Sequence, residues 1–220
     1  MTDNSEKTPI LETELIAGIG SAHPYLVVVL HGLGDSIAGY RWLPGMVDRS
    51  DVNYLLVNAP DAYDIGFSWY DIAGHPEAGV IRSRKLLFNL LDEQIASGYD
   101  AERIALFGFS QGCLMAVEVG LRYPHRLAGV VGISGYVFNL QELIRERSDV
   151  AGEQRLLITH GRYDPLIPIG PTRRQIEVLK SEGISVSWHE FDKDHTIQGE
   201  LEMAVIRRFF ESVMPPKAGG

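Results

Sequence analysis

A single cysteine, Cys113, stands in 220 residues. No internal disulfide can form, and nothing in the cysteine content asks for an oxidising compartment. Positive charge is also scarce: 20 Lys and Arg against 29 Asp and Glu leave a net charge of -9. That balance argues against a nucleic acid or an anionic membrane as partner, since either needs clustered basic residues. No apolar run approaches the roughly 20 residues that span a bilayer. The opening Met1-Thr2-Asp3-Asn4-Ser5-Glu6-Lys7-Thr8 lacks both the basic start and the apolar stretch of a secretory leader. The expectation is a cytoplasmic chain with no stable membrane insertion. Residues 1–9 and 215–220 are expected to be disordered, and 10–214 to form one domain. Missing too are a third glycine after Gly32-Leu33-Gly34, where the dinucleotide fingerprint needs one at Ile37, a phosphate-binding P-loop and any H-E-x-x-H pair. Neither a cofactor nor a catalytic metal is expected.

What the chain has is a succession of short apolar runs separated by helical periodicity. Tyr25-Leu26-Val27-Val28-Val29-Leu30 is a continuous, largely β-branched run, the mark of a strand buried on both faces. Further strands are predicted at Asn53 to Asn58, Ala128 to Ser134, Arg155 to Gly161 and Ile184 to Phe191, with an edge strand or two around Ile10 to Ile16. Helices are predicted from about Ile81 to Ser97, from Thr172 to Glu182 and from Glu200 to Met214. Strand followed by helix, repeated, predicts an α/β fold: a doubly wound, mostly parallel sheet with helices on both faces. In such a sheet ligands bind along the carboxyl edge of the strands. The connection from Gly135 to Gln154 is too short for a large cap domain.

The stretch around which the rest is arranged is Gly108-Phe109-Ser110-Gln111-Gly112. It joins the run Ile104 to Phe107 to a small, apolar helical pattern beginning at Cys113. This is the G-x-S-x-G spacing, in which a sharp strand-to-helix turn projects the serine hydroxyl out of the sheet toward a base. By chance the pattern arises about 0.1 times in a chain of this size. A glycine-rich turn whose serine only caps the helix is the rival, and the pentapeptide alone leaves both open. Cys113, directly after the elbow, reads as a buried small side chain.

Two later residues bear on the choice. Asp164, in Tyr163-Asp164-Pro165-Leu166-Ile167-Pro168, follows a predicted strand, where a carboxylate can orient an imidazole or simply form a turn. His195, in Asp192-Lys193-Asp194-His195-Thr196, follows the last strand, the place for a general base. His31 and His160 each precede a glycine at a strand end and are expected to brace those turns. Trp69 and Tyr70, with Phe67, are expected either to line a pocket or to pack beneath their loop.

His31-Gly32-Leu33-Gly34-Asp35, Gly108-Phe109-Ser110-Gln111-Gly112 and Asp164-Pro165-Leu166-Ile167-Pro168 together resemble the carboxylesterase and acyl-protein thioesterase (lysophospholipase-like) family of α/β-hydrolases, over nearly the whole of residues 10–214. The resemblance implies a serine carboxylic-ester hydrolase with Ser110 as nucleophile, Asp164 as acid and His195 as base. It puts the oxyanion hole on the main-chain N–H groups of Leu33 and Gln111, and it extends to Trp69-Tyr70-Asp71 as an aromatic loop. Just before the histidine, where family members often carry glycine, this chain has Asp192-Lys193-Asp194. The expected substrates are small esters of short to medium acyl chains or acyl thioesters. An open groove also admits an acylated protein or a longer acyl chain, and the resemblance is compatible with a homodimer. Tyr136, Val137, Phe138, Leu166 and Ile167 are the expected apolar walls. A binder that keeps the fold without catalysis has no need of all three residues in order, and a peptidase or dienelactone-type hydrolase differs only in its pocket.

Overall fold

The computed structural model describes residues 11–19 and 25–215, and the expected disorder of 1–9 and 216–220 lies outside them. Pro215 is described, with its carbonyl accepting a 2.8 Å hydrogen bond from the Tyr25 hydroxyl. In chain order the elements are β1 (Thr13–Ile16), β2 (Tyr25–Leu30), α1 (Leu43–Val47), β3 (Val52–Val57), β4 (Asp61–Tyr63), β5 (Gly66–Ser68), α2 (Pro76–Ala96) and β6 (Ile104–Phe109). Then follow α3 (Gln111–Arg122), β7 (Gly129–Ile133), α4 (Leu140–Arg145), β8 (Arg155–Gly161), α5 (Ile169–Ser181), β9 (Ser185–Phe191) and α6 (Gly199–Val213).

Among the described residues seven strands form one sheet in the order β1-β3-β2-β6-β7-β8-β9, parallel throughout except for β1, which runs antiparallel to β3. The apolar runs behave as their composition requires. Along β2, Leu26, Val28 and Leu30 join the core on one face, and Val27 and Val29 join the core on the other. Leu87, Leu91, Met115, Leu143 and Ile176 bring α2, α3, α4 and α5 onto the first face. Leu43, Val47, Met203, Ile206 and Phe210 bring α1 and α6 onto the second. The fold is the expected doubly wound one, and no helix among the described residues is long and apolar enough to cross a membrane.

Winding begins at β2, moves outward to β3 and then returns to β6 on the other flank of β2. The strand order therefore reverses between β2 and β6, and the crevice beyond their carboxyl ends is where such sheets bind ligands. Several elements depart from the sequence expectation, which contains neither α1 nor α4 and starts α5 at Thr172 where the structure starts it at Ile169. The helix α2 starts at Pro76, not near Ile81, because proline at the first helical position supplies the right φ and loses no hydrogen bond there. The aromatic loop holds a small hairpin, β4 with β5.

Candidate active site

The β6–α3 corner places Ser110 at φ 55 and ψ -116, a conformation L-residues rarely adopt. Two glycines make the corner buildable: a Cβ on Gly108 would strike the carbonyl of Gly112, and one on Gly112 would strike the carbonyl of Leu30. The strand thus turns into the helix in a single residue, and the Ser110 hydroxyl is left half-buried at the sheet edge. The Ser110 amide donates to the carbonyl of Ile133 at 2.9 Å, which fastens the corner to the next strand.

Asp164 lies in the turn after β8 and is nearly buried. Its Oδ1 accepts the amides of Leu166 at 3.0 Å and Ile167 at 2.8 Å, so the Asp-Pro segment is both a turn and a carboxylate holder. Its Oδ2 accepts from His195 Nδ1 at 2.7 Å. Burial works to raise the Asp164 pKa. The Ile167 amide, the imidazole of His195 and the Leu166 amide outweigh it and hold the carboxyl below the usual range. His195, in the loop between β9 and α6, turns its other nitrogen to the serine: Ser110 Oγ donates to Nε2 at 2.9 Å. Its ring packs on Phe109 with centroids 5.0 Å apart. Hydroxyl, imidazole and carboxylate stand in one hydrogen-bonded line, and the carboxylate fixes the tautomer that leaves Nε2 free to accept.

A second histidine approaches the same carboxylate without competing for the role. His160 Nε2 is 3.6 Å from Asp164 Oδ2 and 2.8 Å from the carbonyl of Ile167, to which it donates. Burial holds its pKa below the ordinary value, so the ring stays neutral and braces the Asp164–Ile167 turn. His31 braces the other loop. Its Nδ1 donates to the carbonyl of Gly32 at 2.6 Å and its Nε2 accepts the Ala59 amide at 3.0 Å.

The loop Gly32-Leu33-Gly34-Asp35 leans on the elbow, where a Cβ on Gly32 would sit 3.3 Å from that of Ser110. The hairpin pins the loop from outside: the Gly34 amide donates to Phe67 O and the Phe67 amide to Asp35 O, each at 2.9 Å. Neither the Leu33 nor the Gln111 amide is taken up by a turn or cap among the described residues. Both residues line the hollow into which Ser110 opens, of about 510 Å³. Tyr70, Tyr136, Leu166 and Ile167 line it as well, joined by Ile72 and Phe109.

Two expected walls, Val137 and Phe138, are corrected, and of the two parts left open for Trp69 the pocket-lining one is corrected in favour of packing. Trp69 is fully buried and does not line the hollow; its Nε1 donates to the carbonyl of His31 at 2.9 Å, so the ring is a strut beneath the loop. Val137 is buried, and its amide is held by Gln175 Oε1 at 3.0 Å. Phe138 packs against the core of that same face. The side chain of Gln111 is a feature that the sequence reading missed. Its Oε1 accepts the Trp69 amide at 2.9 Å and its Nε2 donates to Tyr70 O at 3.0 Å, tying the elbow to the aromatic segment. The signal was there: a fully polar side chain at the first position of a helix whose neighbours are small and apolar. Among the described residues no group of three or more His, Cys, Asp and Glu could hold a metal ion.

A strained serine at the end of a central strand, facing an imidazole backed by a carboxylate, defines a serine hydrolase of the α/β-hydrolase kind. The chain belongs to the phospholipase/carboxylesterase family, whose model matches residues 11–214. It is similar to acyl-protein thioesterase 1 of Schizosaccharomyces pombe, with 35% identity over 161 residues, 67% of this chain and 71% of that one. In structure it is similar to acyl-protein thioesterase 2 of Zea mays, with a TM-score of 0.77 and 24% identity over 92% of this chain and 98% of that one. It is also similar to a carboxylesterase of Bacillus cereus, with a TM-score of 0.79 and 20% identity over 93% and 95% of the two chains.

Proposed function

We propose that this protein hydrolyses carboxylic esters of short to medium acyl chains, or acyl thioesters, through an acyl-serine intermediate. The observation that carries the reading is the line from Ser110 Oγ to His195 Nε2 at 2.9 Å and from His195 Nδ1 to Asp164 Oδ2 at 2.7 Å. As Ser110 attacks the carbonyl carbon, His195 takes its proton and Asp164 stabilises the imidazolium. The amides of Leu33 and Gln111 donate to the developing oxyanion, each such donor being worth about 10²–10³ in rate. His195 then protonates the departing alcohol or thiol. Water repeats the sequence on the acyl-serine, releasing the acid and restoring Ser110.

Two hollows meet at the imidazole. The one of about 510 Å³, walled by Tyr70, Ile72, Tyr136 and Leu166, suits the acyl group. Across Phe109 and His195 lies another of about 360 Å³, bordered by Asp35, Tyr40 and Trp42, which suits the leaving group. Between β7 and β8 stand the six-residue α4 and a 3-10 turn at Ala151–Glu153, too little chain for a large cap over the acyl side. Leu166 and Ile72 at its rim are 71% and 58% exposed. That openness supports a second reading, longer acyl chains presented on a protein, in line with the name of the Schizosaccharomyces pombe relative. The setting that fits is the cytoplasm, and the unit that acts is the single domain of residues 10–214.

Labelling with a fluorophosphonate, parent against Ser110→Ala, tests the nucleophile: labelling of the parent alone is expected, and equal labelling of both removes Ser110 from the role. Rates on p-nitrophenyl esters and acyl thioesters of increasing chain length separate the two substrate readings. A maximum at short to medium chains supports the first, and a steady rise to long chains supports the second.

A further inference from the structure

We propose that the buried ion pair of Lys193 and Glu202 is the device that holds His195 in working position, which makes Lys193 a positioning residue of the reaction. The inference rests on the reading of His195 as general base.

His195 has no strand or helix of its own, since β9 ends at Phe191 and α6 begins at Gly199. Something else must fix the ring between a hydroxyl and a carboxylate. Lys193, two residues before it, turns its side chain inward, with only 2% of that side chain exposed. Its Nζ donates to the carbonyl of Thr196, the residue after His195, at 2.7 Å. It also donates to both oxygens of Glu202, in the first turn of α6, at 2.7 and 2.8 Å. Every ammonium proton is thereby used. Glu202, whose side chain is fully buried, also accepts the amide of Gln198 at 2.6 Å. Lys193 from before the histidine, and Thr196 and Gln198 from after it, are thus tied to one point on α6.

The main chain of Lys193 reaches the other way. Its carbonyl accepts the amide of Tyr163, the residue before Asp164, at 3.1 Å. A Cβ on Gly161 would press on the carbonyls of both Lys193 and Asp194 at 2.5 Å. The loop of the base, the turn of the acid and the start of the last helix are therefore joined at one residue.

Stability alone does not call for this pair. Desolvating two charges can outweigh their attraction, and an apolar pair of like volume is often as stable or more so. What an apolar pair cannot do is bond the Thr196 carbonyl and the Gln198 amide. Those are the contacts that restrain the loop, and a displacement near 1 Å at reacting groups costs about 10²-fold in rate.

The test is the double variant Lys193→Met with Glu202→Leu, assayed on p-nitrophenyl butyrate beside the parent. Thermal stability equal to or above the parent is expected, with kcat lowered about 10²-fold and KM nearly unchanged. A stable double variant with parental kcat overturns the inference, because a purely structural pair would return activity together with stability. Glu202→Gln makes the test independent of how the double variant folds, since it keeps shape and an acceptor oxygen. Reduced kcat at unchanged KM supports the inference, and parental kcat overturns it. A parent that hydrolyses nothing and takes no fluorophosphonate would instead sink the reading of the site. An active, labelled parent with unaffected variants sinks only the clamp.

Discussion

Ser110 and Ser134 end neighbouring strands, β6 and β7, and both sit in the left-handed region, at φ 55 and φ 51. Each follows a glycine by two residues, Gly108 and Gly132, and each amide donates across the sheet edge at 2.9 Å, to Ile133 O and Thr159 O. Beyond that the corners diverge. Ser110 leads straight into α3, its hydroxyl half-exposed and bonded to His195. Ser134 leads into a loop and is fully buried, and its hydroxyl has no partner among the described residues. The space beside it is filled by Cys113: a Cβ on Gly132 would come within 2.7 Å of that sulfur and one on Gly135 within 2.5 Å. Burial pushes the Cys113 thiol up to about 12, which leaves it an inert packing group. Backbone strain at a strand end is therefore common to both corners. Among the described residues only the corner met by loops from β8 and β9 has a base within hydrogen-bond reach.

The largest effect expected from breaking this asymmetry is at Ser110. Ser110→Ala is expected to lower kcat by about 10⁴–10⁶, since triad members act as a unit, and stopped assays on a p-nitrophenyl ester check it. Asp164→Asn comes next, with a loss of about 10⁴ as the imidazole loses its preferred tautomer. The same variant has a pH signature. Because the native carboxyl is held below its unfolded pKa, its contribution to stability is complete above the unfolded value and is lost as pH falls through the lower native value. Melting temperature plotted against pH should thus be flatter below about pH 4 in Asp164→Asn than in the parent. Parallel curves would mean that the carboxylate is not stabilised as described.

How much of this was legible varies with the range over which each feature is set. The strands β2, β3, β6, β7 and β8 could be read because a strand buried on both faces is a nearly continuous apolar run, broken here only by residues such as Asn53, Thr159 and His160. The elbow could be read because two close backbone approaches allow only glycine. The parts of Trp69 and Tyr70 could not be separated. Directly after the three-residue β5, one ring turns under the His31 loop and the other toward Ser110, and no periodicity that short predicts which. The five-residue α1 was likewise too short to show a pattern. The family resemblance singles out the main chain of Gln111, while its side chain holds the aromatic segment. Gln111→Ala sharpens the contrast between the corners, because the Ser110 corner is tied to the aromatic segment from α3 itself, whereas the segment after Ser134 is tied from α5, by Thr172 to Gly135 and by Gln175 to Val137. The substitution strands the buried Trp69 amide, at a cost of about 1–3 kcal/mol, while the Tyr70 carbonyl loses one of two donors and keeps Ser68 Oγ at 2.8 Å. Loss of stability and a roughly tenfold fall in kcat/KM are expected, the latter because the wall formed by Tyr70 loosens beside the reacting carbonyl. Chemical denaturation and steady-state kinetics on one preparation check both.

The smallest effect is expected at Ser134, and it is the sharpest control on what strain alone can do. Ser134→Ala keeps the positive φ at similar cost, since neither serine nor alanine favours it. It removes a buried hydroxyl without a partner among the described residues, a group whose desolvation those residues leave uncompensated. Rates on the p-nitrophenyl ester are expected to stay within about twofold of the parent, since surface or packing changes away from the reacting groups act through stability and not through the barrier. The melting temperature is expected to hold or rise by up to about 4 °C, the shift that roughly 1 kcal/mol produces in a domain of this size. A large fall in kcat at parental stability would place Ser134 in the chemistry and erase the distinction between the two corners.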